Sequence, residues 1–469
     1  MPVTSRVAVI GSGYVGTVVA GCLAHIGHQV VGVESDPAKL APLREGRAPF
    51  HEPGLDDLLA AGTEAGTLSF TDDFAAAMDH SEVVFVCVGT PSGPDGLPDM
   101  TAMVGVARSI AENLRQHHVL VNKSTVPIGS GRWLASVIED VARDRGSIEG
   151  LFSVVSNPEF LREGNAVSDY LHPDRVVLGS DDPAALDVLV DLYRPILSQV
   201  LPGEAAGEPV PLVCTDLVTA EMTKYASNAF LATKISFANE IGRLCEMVGA
   251  DVTEVTAGMG LDGRIGGRFL DAGLGWGGSC FGKDVSALIS TASDYGYRTR
   301  ILEAAVRVND DQRNLVVEAL LQDLKTLRGA RIAVLGLAFK PGTDDLRDSP
   351  AVSVAQRLVA RGCFVTAFDP VVTTLPDDPE VRIAVSALEA AWQADAVVLA
   401  TDWQEFLGLD LERLRAETRG DLFFDGRNIF DPALVEAAGF RYRGIGRGVA
   451  KPSERTGARA QHHVVAEYP

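Results

Sequence analysis

Short runs of apolar, β-branched residues alternate along the chain with stretches of helical periodicity. The first run, residues 6–10, is followed by Gly11-Ser12-Gly13-Tyr14-Val15-Gly16 and a helical stretch reaching Ile26. Residues 29–33 read as the next strand, ending at Glu34, and further apolar runs lie at 83–88, 118–122 and 152–156. Near-continuous apolar strands separated by helices predict a parallel sheet covered on both faces. The strand, glycine turn, helix, strand order predicts right-handed crossovers.

From about Thr215 to Met247 the pattern changes to an Ala-rich stretch without proline and with Gly242 as its one glycine, which predicts a long helix. That helix is a plain connector or a subunit interface. A second α/β unit starts at Arg331, where Arg331-Ile332-Ala333-Val334-Leu335-Gly336 echoes Arg6-Val7-Ala8-Val9-Ile10-Gly11. Residues 364–369 resemble the second strand, and 396–401 resemble 83–90. The expected fold class is α/β, with two Rossmann-like doubly wound parallel-sheet domains joined by a long central helix. The expected divisions are 1–205, 206–318 and 319–449. A polar, aperiodic tail over 450–469 is expected to be disordered.

Composition narrows the class. The 469 residues suffice for two or three domains with their own cores. A net charge of −22 opposes binding to a nucleic-acid backbone but does not forbid a nucleotide in a locally cationic site. The six cysteines, at 22, 87, 214, 245, 280 and 363, form no C-x-x-C pair. That usage fits a reducing compartment, with no disulfide framework and no zinc site. No leader is legible, and no apolar run approaches the ~20 residues of a membrane span. We expect a cytoplasmic protein.

The first glycine loop follows a strand, opens a helix and precedes an acidic strand end, a context that makes it a dinucleotide fingerprint. Gly11 permits the tight turn, Gly13 lets backbone approach a pyrophosphate, and Gly16 allows close helix packing. Glu34 stands where a carboxylate binds the adenosine ribose, and the neighbouring Ser35 and Asp36 are not cationic, which favours NAD over NADP. The second unit has Ala338-Phe339-Lys340-Pro341 in place of that loop, so it is expected to refuse a dinucleotide in the same pose. Its Lys340 and Arg347 could meet phosphates, or the unit could be scaffold.

Two further groups carry chemistry. Lys224 and Asn228, four apart on the long helix among Ala, Phe and Leu, face one direction, and a buried lysine there is a candidate oxyanion binder. Cys280 lies in a segment with glycines at 273, 275, 277, 278 and 282, read as a loop that lets backbone approach a ligand. Lys283 would favour its thiolate and Asp284 could serve as a base toward water. By itself, a cysteine among glycines is more often inert than catalytic.

These residues resemble the UDP-glucose/GDP-mannose dehydrogenases over about 5–449. The matching motifs include Val88-Gly89-Thr90-Pro91, Lys123-Ser124-Thr125-Val126-Pro127 and Asn157-Pro158-Glu159-Phe160-Leu161-Arg162-Glu163. They continue through residues 224–228, 264–284 and 336–340 to Asp425-Gly426-Arg427-Asn428. The resemblance implies a four-electron oxidation in which a sugar C6 alcohol becomes a carboxylate and two NAD are reduced. By carry-over Cys280 would be the nucleophile, forming a thiohemiacetal and then a thioester. Asp284 would activate the hydrolytic water with Thr125 positioning it, and Lys224 with Asn228 would stabilise oxyanions. Glu159 would act near the sugar; the sequence does not fix the base for the first oxidation.

The same resemblance assigns NAD to Gly11, Gly13, Tyr14, Val15, Gly16, Glu34, Lys39, Thr90, Thr125, Glu163, Lys283 and Arg347. It assigns the nucleotide sugar to Glu159, Phe160, Leu161, Arg162, Glu163, Lys224 and Asn228. To these it adds Arg264, Phe269, Leu270, Asp271, Ala272, Gly273, Gly277, Lys340 and Arg427. No metal is implied. It further implies a homodimer built on the central helix and a second domain that holds UDP. Three positions depart from the family pattern: Gly282 replaces a proline, Trp276 a phenylalanine, and Asp99-Met100-Thr101 lacks the usual leucine-serine. Gly282 is expected to loosen the loop around Cys280. Ser279, Phe281 and residues 264–273 favour UDP-glucose, oxidised to UDP-glucuronate. The alternatives are GDP-mannose, a UDP-N-acetylhexosamine, or a non-catalytic nucleotide-sugar sensor on the same fold.

Overall fold

The computed structural model describes residues 4–91, 93, 99–143, 148 and 150–447. The apolar runs form two sheets. The first contains β1 (Arg6–Ile10), β2 (Gln29–Val33), β3 (Leu68–Thr71), β4 (Val83–Val86), β5 (His118–Asn122), β6 (Phe152–Ser156), β7 (Val176–Gly179) and β8 (Leu212–Thr215). Their spatial order is β3-β2-β1-β4-β5-β6-β7-β8. The second contains β9 (Arg331–Leu335), β10 (Phe364–Phe368), β11 (Arg382–Ile383), β12 (Ala396–Leu399), β13 (Leu422–Asp425) and β14 (Arg441–Gly444). Its order, β11-β10-β9-β12-β13-β14, repeats that of the first six strands of the other sheet. This is the dinucleotide-fold order, with the ligand crevice expected where the order reverses, beside β1 and β4 or β9 and β12.

The expected parallel sheets are present, with one reversal. β6 and β7 meet antiparallel at Ser156 and Gly179, and β7 then pairs parallel with β8. Strand β1 explains why the first sheet is covered twice. Val7 and Val9 pack with Val18, Val19 and Leu23 of the Tyr14–His25 helix. Ala8 and Ile10 point the other way, toward Met103 and Ile110 of the Thr101–Asn113 helix and Leu134 and Ile138 of the Ser130–Ala142 helix. Strand β4 ends at Val86, two residues short of the apolar run, because β1 ends at Ile10 and turns at Gly11 (φ +90°), the Cys87 N–H taking the last β1 carbonyl at 2.8 Å.

The central helix runs from Leu217 to Val248, 32 residues. Packing groups the described chain into two compact units. The first holds residues up to Ala232, Gly277–Glu303 and Lys340–Arg347. The second holds Thr233–Trp276, Ala304–Phe339 and residues from Asp348 onward. Among the described residues no helix is long and apolar enough to cross a membrane. The tail read as disordered, 450–469, lies outside the described residues.

Candidate active site

The turn after β1 is built as an anion cradle. A Cβ on Gly16 would lie 1.9 Å from the Gly11 carbonyl oxygen, so only glycine lets the helix close onto the strand. A Cβ on Gly13 would meet nothing within 4 Å, which leaves open space directly before the helix. Gly13 is also the helix N-cap and offers no side-chain cap, so the first-turn N–H groups remain for a ligand. Glu34, just past β2, is buried and accepts the Asp36 N–H at 2.9 Å through Oε1. Open space, uncapped donors and an acid at the end of the next strand fit NAD. Lys39 is exposed in the helix Pro37–Arg44, and the Thr90 hydroxyl donates to the Thr125 carbonyl at 2.6 Å.

The second unit folds the same turn to a different end. Asp369, just past β10, turns inward, and its Oδ2 accepts the Leu337 and Ala338 N–H groups at 2.7 and 3.1 Å and the Trp403 indole N–H at 3.0 Å. Its Oδ1 takes the Val371 and Val372 N–H groups, both at 3.0 Å. The donors that would meet a pyrophosphate are already bound to an internal anion. This adds to the obstruction expected from residues 338–341.

Within the first unit the catalytic candidates converge. Lys224 is buried on the central helix and donates to Glu159 at its carbonyl oxygen (2.6 Å) and Oε1 (2.7 Å). Burial opposes the Lys224 charge, but Glu159, with Cys280 and Asp284 beside it, outweighs burial and holds the ammonium above its ordinary value. Burial likewise opposes the Glu159 carboxylate, and Lys224 together with the Leu161 N–H (2.7 Å) and Lys123 keeps it ionised. One turn on, Asn228 donates to Asp284 Oδ2 at 2.6 Å. Asp284 is fully buried, and its Oδ1 has no hydrogen-bond partner, facing Lys283 Nζ at 3.4 Å.

Cys280 stands on the first turn of the Gly278–Asp294 helix, where the glycine-rich segment was read as a loop. Gly278 opens that helix at φ +84°, a conformation that favours glycine. Gly282 consequently lies inside a helix, at a cost near 1 kcal/mol relative to alanine in an exposed helix. Burial pushes the Cys280 thiol up, Lys224 pulls it down, and Glu159 and Asp284 push it up again. The cations acting on the thiol are thus Lys224 and Arg347; Lys283, three residues on from Cys280, points at Asp284 instead.

Glu163 joins this cluster from the loop after β6. Its Oε1 accepts the Ser279 hydroxyl at 2.9 Å and Arg347 Nη2 at 3.2 Å. Arg347 is held in turn by Asp345, Nε to Oδ1 at 2.8 Å and Nη2 to Oδ2 at 2.7 Å. Burial and the Asp345 carboxyl push Glu163 up to about 7, against the pull of Arg347 and Ser279. Lys340 is held below its ordinary value by burial, with Glu163 opposing the shift. The Arg162 guanidinium is occupied by Asp169. Phe160 lies under the Arg175 guanidinium, 3.8 Å from ring centre to Cζ.

Of the remaining sugar-site candidates, Gly277 is the N-cap of the Cys280 helix in the first unit, and the others belong to the second unit. Phe269 adopts φ +65°, unusual for a bulky side chain, while Leu270, Ala272 and Gly273 are buried. The Gly273 N–H donates to Asn239 at 2.8 Å, and its carbonyl accepts from Gln312 at 2.8 Å. Arg427 donates to the carbonyls of Ala400 (2.8 Å) and Phe339 (3.2 Å). Arg264 is exposed, paired with Asp262 two residues before it. Trp276, the bulkier aromatic, is buried and donates to Ser236 at 3.0 Å.

Three side chains beside these have no role assigned from the sequence, Lys123 standing there only within a motif. Glu52 is buried and accepts the Tyr14 hydroxyl, the Gly164 N–H (2.7 Å) and the Ala166 N–H (2.7 Å), tying the cofactor turn to the loop that carries Glu159 and Glu163. An acid between His51 and the breakers Pro53-Gly54 was the available signal. Glu221 accepts from Gly129 (2.6 Å), Gly131 (2.8 Å) and Ser156 (3.0 Å), anchoring the central helix one turn before Lys224. Lys123 is buried against Asn157 at 2.9 Å, and burial lowers its ammonium to about 8. Among the described residues no group of His, Cys, Asp and Glu is arranged to hold a metal.

Known proteins place this architecture. Family models of the UDP-glucose/GDP-mannose dehydrogenases match in three parts: the NAD-binding domain at residues 5–197, the central domain at 218–311 and the UDP-binding domain at 333–432. A UDP-glucose 6-dehydrogenase of Rhizobium meliloti is 45% identical over 454 residues, 94% of this chain and 99% of that protein. One from Bacillus subtilis, TuaD, is 40% identical over 454 residues, 96% and 95% of the two chains. The structure of a UDP-glucose dehydrogenase from Pyrobaculum islandicum superposes with a TM-score of 0.85 at 37% identity, covering 95% of this chain and 98% of that one. The chain belongs to the UDP-glucose/GDP-mannose dehydrogenase family and is an NAD-dependent dehydrogenase.

Proposed function

We propose that this protein oxidises UDP-glucose to UDP-glucuronate, taking four electrons through a thiohemiacetal and a thioester on Cys280. The observation that carries the reading is the meeting, inside one compact unit, of a thiol, a buried ammonium and a buried carboxylate with one unsatisfied oxygen. When bound, two NAD in succession would supply the hydride acceptor, one for each oxidation. The Lys224 ammonium, kept charged by Glu159, balances the oxyanion formed when sulfur adds to the aldehyde. Asn228 holds Asp284 by one oxygen, leaving Oδ1 to take a proton from the water that cleaves the thioester. Thr125 would orient that water.

The sugar is inferred from relatives named for UDP-glucose and from Ser279 preceding the cysteine. In this reading residues 1–205 bind NAD, 206–318 carry the dimer helix and the cysteine, and 319–449 hold UDP, with Arg264, Phe269, Leu270, Asp271 and Arg427 on the nucleotide sugar. Phe230, Phe237 and Leu244 are exposed at seven-residue intervals on the central helix, a seam that suits a second copy and supports a homodimer. The cytoplasm is the compartment we infer. Turnover of a nucleotide-sugar panel with NAD tests the substrate; no activity on UDP-glucose would sink it. Two NADH per sugar are expected, and Cys280→Ser should stop acid formation. Acid made by that variant at the wild-type rate would rule out the thioester.

A further inference from the structure

The Cys280 thiol must lose its proton before it can attack, and its surroundings make that difficult. Burial and the nearby Glu159 and Asp284 carboxylates favour the neutral thiol, and Lys224 compensates only in part. Asp284, the base proposed for hydrolysis, gives Oδ2 to Asn228 and faces the Lys283 ammonium with Oδ1, 3.4 Å away. The side-chain group hydrogen-bonded to the sulfur is the Ser279 hydroxyl, at 3.5 Å. That hydroxyl donates its own proton to Glu163 Oε1 at 2.9 Å. Sulfur, hydroxyl and carboxylate therefore form a continuous chain in which every donor faces an acceptor.

We propose that Ser279 is a catalytic proton relay, passing the Cys280 proton to Glu163 as the sulfur attacks the aldehyde. The step balances without a co-reactant. The S–H bond breaks and its proton moves to Ser279 Oγ, while the hydroxyl proton moves to Glu163 Oε1. The sulfur pair forms the C–S bond, and the negative charge that leaves Glu163 reappears on the aldehyde oxygen beside Lys224. Glu163 suits the task because burial and Asp345 give it a proton affinity near neutrality, about 7, where a carboxyl group both accepts and returns a proton. The charged and titratable groups acting on it are Asp345, Arg347 and Lys340 from one segment and Tyr14 from the first helix. Those acting on the thiol are Lys224, Glu159, Asp284 and Arg347.

The relay rests on Cys280 being the nucleophile, and its test separates the two ideas. Alkylation of the full-length protein by iodoacetamide is followed at the Cys280 peptide by mass spectrometry between pH 5.5 and 9.5. The wild-type rate should rise through an inflection near the Glu163 value of about 7. Ser279→Ala and Glu163→Gln should each move the rise upward by more than about one pH unit, toward the raised range of the thiol itself, a loss of more than about tenfold at neutral pH that narrows as the pH climbs. Ser279→Thr, which keeps a hydroxyl, should follow wild type. A Ser279→Ala profile that superposes on wild type overturns the relay, and so does a loss equal at all pH values, which marks structural damage. If Cys280→Ser still makes acid, the nucleophile itself is wrong, whatever the alkylation profiles show.

Discussion

The two sheets share one strand order, yet the turn after their first strand ends in opposite states. After β1 the turn is open. Gly13 faces empty space, the helix N-terminus is uncapped, and Glu34 stays at the strand end, braced by the Asp36 N–H. After β9 the acid at the matching place, Asp369, has turned in and taken five donors, two of them from the turn itself. One acid is left available to a ribose while the other acts as a permanent substitute for a phosphate. A nucleotide-binding fold can thus be closed to dinucleotides without losing a strand, by satisfying its anion donors from within. In the second unit a carboxylate avoids the cost of leaving several N–H groups buried and unpaired, whereas in the first the turn faces open space.

The comparison can be broken most sharply at Gly13. Its φ of −72° suits any residue and its Cβ position is free, so Gly13→Val should fold normally while filling the cradle. Losing two charge-assisted bonds to the pyrophosphate costs about 3 kcal/mol, roughly 100-fold in NAD affinity by calorimetric titration. Unchanged affinity would show that the first turn is not the cofactor site. Asp369→Asn comes next. It puts an NH2 against donors and should destabilise the second unit by about 2 kcal/mol in urea unfolding, with NAD affinity unchanged. A neutral outcome would mean the inward acid is not what satisfies that turn. Glu34→Gln should have the smallest effect, weakening NAD about tenfold through loss of one charge-assisted bond and leaving the unfolding midpoint in place.

The sequence carries the open turn well and the closed one poorly. Glycine spacing, apolar strands and an acidic strand end are local signals, so β1, β2, β9 and the central helix fall within a residue or two of their expected limits. The inward turn of Asp369 is invisible because it depends on partners 31 and 32 residues away. Ser279 and Glu163 lie 116 residues apart, and nothing in either segment announces the bond between them. The glycine-rich stretch misled for another reason. Glycine lowers helix propensity without forbidding a helix, and from Gly278 onward a helix forms, placing Cys280 on its first turn. There the helix dipole favours a thiolate, a contribution that a loop would lack.

The first unit is not a continuous piece of chain. It takes Gly277–Glu303 and Lys340–Arg347 after the chain has begun the second unit. During synthesis, therefore, the NAD turn emerges from the ribosome early, the thiol and Ser279 follow only after the chain has entered the second unit, and Arg347 comes after β9 has been made. At synthesis rates of roughly 5–20 residues per second, the interval between residues 232 and 347 lasts several seconds. Throughout it the site is an unfinished surface, and a nascent chain stalled before Arg347 carries a cofactor turn without the segment that holds Glu163.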